Sequence, residues 1–106
     1  MARYLLIALN SPTEGEGHEA EYNDWYNGRH KPDLLSIDGA VSVRRFKVVR
    51  RNRIDKEYVA VTEFEAEDAD ELMRQLSEKA SDFTDKIDRT TSIFVLAEEL
   101  DTGAGR

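Results

Sequence analysis

Glu21-Tyr22-Asn23-Asp24-Trp25-Tyr26-Asn27-Gly28-Arg29-His30-Lys31-Pro32 holds the only Trp, two of the four Tyr, one of the two His and one of the two Pro in a chain of 106 residues. Tyr22, Trp25, Tyr26 and Arg29 stand at i, i+3, i+4 and i+7, which places them on one helical face. Asn27-Gly28 between strands would be a hairpin turn, but its flanks here have helical spacing, so it reads as a weak point or cap. Inside a continuous helix the Pro32 ring would press on the carbonyl of Gly28. The expectation is a helix from His18 or Glu19 to about Gly28, a kink over 29–31, and a further turn from Pro32 to Ser36 closed by Asp38-Gly39. A helix here lies between two strand-like runs, and that makes the chain open as β-α-β.

Upstream, Arg3 to Leu9 is apolar on both alternating sets, the pattern of a strand buried on both sides. Its apolar run is too short for a signal peptide and stops at Asn10-Ser11-Pro12 with no small-residue cleavage site, so it reads as a first strand. Downstream, Ala40 to Arg50 reads as a second strand, dense in cations at Arg44, Arg45, Lys47 and Arg50. A polar hairpin loop over 52–56 leads to a third strand from Tyr58 to Phe64. Asp68 to Lys79 carries an apolar stripe of Ala69, Leu72, Met73 and Leu76 and predicts a second helix. A polar segment from Ser81 to Arg89, with Phe83 and Ile87, reads as a partial helical turn before a last strand from Thr91 to Ala97.

The order βαββαβ has one natural solution, a ferredoxin-like α+β fold with a four-stranded antiparallel sheet and two helices on one face. Residues 1–100 then form a single domain, with 101–106 a flexible polar tail. Two helices cover only one face of such a sheet, yet the first and last strands are apolar on both. An uncovered apolar sheet face marks an interface, and the closed answer is a homodimer packed sheet against sheet.

Composition narrows the partners. The net charge of -7 argues against nucleic acid and against a polybasic membrane contact. No stretch approaches a membrane span, and a cytoplasmic location is the default expectation. With no Cys, thiolate catalysis, thiolate metal ligation and disulfides are excluded. His18, Glu21 and Asp24 share i, i+3 spacing but offer one His and too few further ligands, so no metal site is expected.

Glu21-Tyr22-Asn23, Trp25-Tyr26 and His30-x-Pro32, followed by Asp38-Gly39 and Arg44-Arg45-Phe46, resemble the dimeric α+β barrel superfamily, closest to its EthD-like and uncharacterised bacterial branches. Where many relatives carry an acidic residue after Trp-Tyr, this chain has Asn27, which weakens any role resting on a carboxylate there. The resemblance implies a homodimer with a small-molecule pocket in each subunit. Members include cofactor-free monooxygenases, lactone isomerases, polyketide cyclases, haem enzymes and proteins of no known activity.

His30 is the leading candidate for chemistry, because an imidazole ordinarily titrates near neutral pH and can move a proton either way. The plainer reading is a ring capping helix C-terminal carbonyls. Tyr26 lies four residues away and is the second catalytic candidate. Tyr22 and Trp25 are candidate substrate-binding residues or, more simply, core. Arg44 and Arg45 point to opposite faces of their strand, so one at most enters a given cavity to hold a carboxylate or enolate; the plainer reading is a solvated pair of cations. With what the resemblance implies, the expectation is a cofactor-independent isomerase, cyclase, lyase or monooxygenase that moves a proton on an aromatic or polyketide-like carbonyl compound. The rivals are a barrel that holds a small molecule or haem without turning it over, and a dimeric structural protein with no pocket.

Overall fold

The computed structural model describes residues 2–79 and 92–100. Four strands, β1 (Ala2–Asn10), β2 (Ala40–Lys47), β3 (Tyr58–Ala66) and β4 (Ile93–Glu98), form one sheet in the order β2-β3-β1-β4. Every neighbouring pair is antiparallel. Helices α1 (His18–Trp25), α2 (Lys31–Leu35) and α3 (Ala69–Lys79) complete the described elements, with a π-helical turn over Tyr26–His30 joining α1 to α2. This is the expected α+β ferredoxin-like arrangement. The parts expected over 81–89 and 101–106 lie outside the described residues.

Strand alternation sorts the sheet into two faces. Tyr4, Ala60, Thr62 and Phe64 are buried on the helix side, with Val43 beside them on β2 and Leu72 of α3 against them. The opposite set is Leu5, Ile7 and Leu9 of β1, Val59 and Val61 of β3, and Ile93 and Val95 of β4. Ile93 and Val95 remain 42% and 51% exposed, and Phe46 on the same face 43%. At one end of that face Arg3 pairs with Glu63 at 2.6 Å and with Glu65.

The second strand is shorter than its expected Ala40–Arg50. It is an edge strand with one partner, β3, which begins at Tyr58 opposite Lys47. Beyond that point Val49 has no strand to pair with and is exposed. β3 runs on to Ala66 because β1 supplies partners as far as Ala2.

The expected break at Gly28 is absent. Gly28 does not adopt a left-handed conformation, and the chain stays helical through the π turn into α2. The Lys31 N–H reaches back five residues to the Tyr26 carbonyl, so the ladder changes register one residue before Pro32, which has no N–H to give. The proline is accommodated by a wider turn, not by a kink.

That turn decides which side chains face the sheet. In an α-helix a four-residue step overshoots a full turn by about 40°, so Tyr22, Tyr26, His30 and Leu34 would spiral away from the core. A turn closed by i→i+5 bonds holds more residues and brings the step back into line. All four are buried. Arg29, expected on the aromatic face, is exposed instead.

Gly39 fixes the entry into β2. Its φ is +87°, and a Cβ there would lie 1.9 Å from the Glu65 carbonyl oxygen. Only glycine lets the chain come this close to β3, where the Gly39 carbonyl accepts the Glu65 N–H at 2.8 Å.

Candidate functional site

Between the helix side of the sheet and the helices lies a cavity of about 400 Å³. Its sheet wall is Leu6, Ala8 and Asn10 of β1 with Ala60 and Thr62 of β3, its opposite wall Tyr26, His30 and Leu34. Met73, Leu76 and Ser77 of α3 and residues 92–94 complete the lining. It is a mainly apolar chamber with a few polar groups, the ordinary form of a small-molecule site.

His30 is 9% exposed and held from two sides. Trp25 stacks on its ring at 4.6 Å with planes 15° apart, and Tyr26 meets it edge to face at 4.9 Å. Burial lowers its pKa to about 4 and outweighs the opposing pull of Asp33. The imidazole is therefore neutral at neutral pH. This corrects the expectation of a group titrating near 7: it starts as a base, and only the imidazolium formed in a reaction can act as an acid.

Tyr26 is buried beside it, and burial raises its pKa, with Tyr22 adding to the rise and Arg45 opposing it. The phenol stays protonated and can donate a hydrogen bond in the cavity.

The other candidates stand elsewhere. Tyr22 is 1% exposed and sits in an aromatic cluster with Trp25, Tyr26 and Tyr58 instead of on the cavity wall. Trp25 does not line the cavity but reaches the site through its stack on His30 and its edge contact with Tyr26. Arg44 and Arg45 do point to opposite faces, yet neither lines the cavity. Arg44 is exposed and lies over Phe46 at 5.1 Å, on the side away from the helices.

Arg45 is on the helix side but is already engaged. Its guanidinium lies over the rings of Tyr26 at 4.4 Å, Tyr58 at 5.2 Å and Tyr22 at 5.3 Å. It donates to the side-chain oxygens of Asn23 at 2.8 Å and Asn27 at 3.3 Å, while its Nε is buried without a hydrogen-bond partner. The tyrosine π faces replace the missing bond. Asn27 is thus a ligand of Arg45 from the π turn. An enolate in the cavity would face Tyr26 with Arg45 behind it.

Asn10 and Thr62 are buried polar residues on the cavity wall that the sequence did not single out. The available signal was strand parity, since both belong to the helix-facing sets of β1 and β3. Asn10 lies at the Tyr22 phenol and partly offsets the rise that burial gives its pKa. Among the described residues no three His, Asp or Glu side chains gather as a metal site, and no helix is long and apolar enough to cross a membrane.

The chain is similar in structure to an ethyl tert-butyl ether d (EthD) family protein from Bacillus halodurans C-125, with a TM-score of 0.59 over 94% of this chain and 100% of that one. The sequences are 15% identical, so the likeness shows a shared α+β fold. No protein-family profile matches the chain. No curated protein matches it either.

Proposed function

We propose that this protein is a homodimeric, cofactor-independent enzyme that moves a proton within an aromatic or polyketide-like carbonyl compound, with His30 as the base and Tyr26 as the hydrogen-bond donor. The observation that carries this reading is a buried, neutral imidazole on the wall of an apolar cavity of about 400 Å³.

A base with a pKa near 4 is weak, and its conjugate acid is strong. It suits a substrate whose C–H is already activated by a neighbouring carbonyl. His30 takes the proton, the C–H electron pair becomes an enolate, and the imidazolium returns the proton to another atom of the same molecule. The enolate charge favours the imidazolium while both exist. The Tyr26 phenol donates to the enolate oxygen from a site where an unpaired oxyanion would be costly. Arg45 reaches the reaction only through the Tyr26 ring it covers. Isomerisation and cyclisation fit such a relay directly.

The test is deuterium incorporation in D₂O, followed by NMR, across a panel of aryl ketones and 1,3-dicarbonyl compounds with dialysed, chelator-treated protein. A general base contributes about 10²–10⁴-fold. His30→Ala should lose that much exchange on an accepted substrate while keeping its circular dichroism spectrum. Equal exchange in the variant would end the proposal.

A further inference from the structure

We infer that the Thr62 hydroxyl is a substrate-binding group, which receives an oxygen of the ligand on the sheet wall opposite His30. The inference rests on the cavity reading above and extends it to a residue with no role so far.

Thr62 lies mid-strand in β3, paired with Leu6 on one side and Val43 on the other. Along its own face the next residues are Ala60 and Phe64. Its surroundings in the sheet are therefore apolar, and the residue is 1% exposed. It lines the cavity that His30 and Tyr26 line from the helix side. The hydroxyl makes no hydrogen bond to another described side chain and, unlike the Arg45 Nε, is not sealed off, so it opens on the cavity; Asn10, the other buried polar side chain on that wall, lies at the Tyr22 phenol.

Valine has nearly the same shape without a polar group to satisfy. Valine also suits a central strand at least as well, and this chain uses it on the other face of β3 at Val59 and Val61. A threonine here gives the apolar wall one hydrogen-bonding group, and a ligand oxygen is the partner it can take from the cavity. The site needs an acceptor such as a ketone or phenolate oxygen on a compact apolar body. A purely hydrocarbon ligand would leave the hydroxyl unpaired.

Acetophenone and ethylbenzene are suitable probes, because they differ at one carbon that carries oxygen in the first and hydrogen in the second. Binding is followed by ¹H–¹⁵N NMR titration of wild type, Thr62→Val and Thr62→Ser, with thermal melting of each protein alone. Thr62→Val should melt at or above wild type, bind acetophenone roughly three- to tenfold more weakly and bind ethylbenzene unchanged. Thr62→Ser should keep acetophenone affinity. Equal loss of both probes, or a melting point several degrees lower in Thr62→Val, would assign the residue to packing and overturn the inference. An unchanged acetophenone affinity would overturn it too, even if His30→Ala still abolished exchange. Failure of wild type to bind either probe would overturn both this inference and the cavity reading beneath it.

Discussion

His30 shows how far a residue's chemistry depends on its surroundings. Free imidazole titrates near 6.5, whereas in the folded chain burial postpones protonation to about 4. Between those values the unfolded chain holds one more proton than the folded one, so stability falls as the pH falls and is complete above about 6.5. The full effect is roughly 3 kcal/mol, at about 1.4 kcal/mol per pH unit. Urea denaturation at pH 7.5 and 4.5 should show most of this loss in wild type, and a smaller loss in His30→Gln. Equal losses in the two proteins would contradict a buried neutral imidazole. If His30 is also the base, exchange should follow an apparent pKa near 4 and stay flat through neutral pH; a midpoint near 6.5 would place the proton on another group. The candidacy of His30 was legible from its type and its place before Pro32. Its low pKa was not, because desolvation depends on the burial that the fold gives the ring between Trp25 and Tyr26.

At the level of elements, the region 18–35 was legible as helical with a disturbance near Gly28 and Pro32, but the form of the disturbance was misjudged. Local preference favours a cap at Gly and a kink at Pro. The π turn prevails because it holds Tyr22, Tyr26, His30 and Leu34 against one sheet, and the burial of four side chains outweighs one irregular turn. Gly39 is the opposite case, where a local signal proved strict. Gly39→Ala should cost about 1–3 kcal/mol from the left-handed backbone alone, and more from the overlap with Glu65. A shift of the denaturation midpoint is the measure, and a variant as stable as wild type would mean that the β2 entry can move away from β3.

For the whole molecule, the outer sheet face is a feature left without a function in one chain. Ile7, Leu9, Val59, Val61, Ile93 and Val95 form an apolar surface there, and standard stable interfaces bury about 800 Å² per partner. In the homodimer we propose, Val95 lies within the contact. Val95→Lys places a charge on both sides of a two-fold interface at once and should convert a dimer to monomer in sedimentation velocity at micromolar concentration. The melting temperature of the variant should then lose its dependence on protein concentration. A wild-type monomer would remove the dimer from the proposal and leave the cavity standing, since every described residue on its wall belongs to one chain.

The order of elements, the faces of the strands and the apolar character of both sides of the sheet were determined by the sequence itself. They follow from periods of two and 3.6 residues, which are local properties. The cavity, the neutral state of His30 and the withdrawal of Arg45 behind Tyr26 were decided only by the tertiary structure. The cavity and the placement of Arg45 depend on residues far apart in the chain being brought together, and the state of His30 on the burial that follows. Asn23 and Asn27 meet Arg45, while Trp25 and Tyr26 enclose a histidine that shares its cavity with residues of β1 and β3. The stretch Glu21–Pro32 announced the helix, and the sheet it packs on determined which of its side chains became the site.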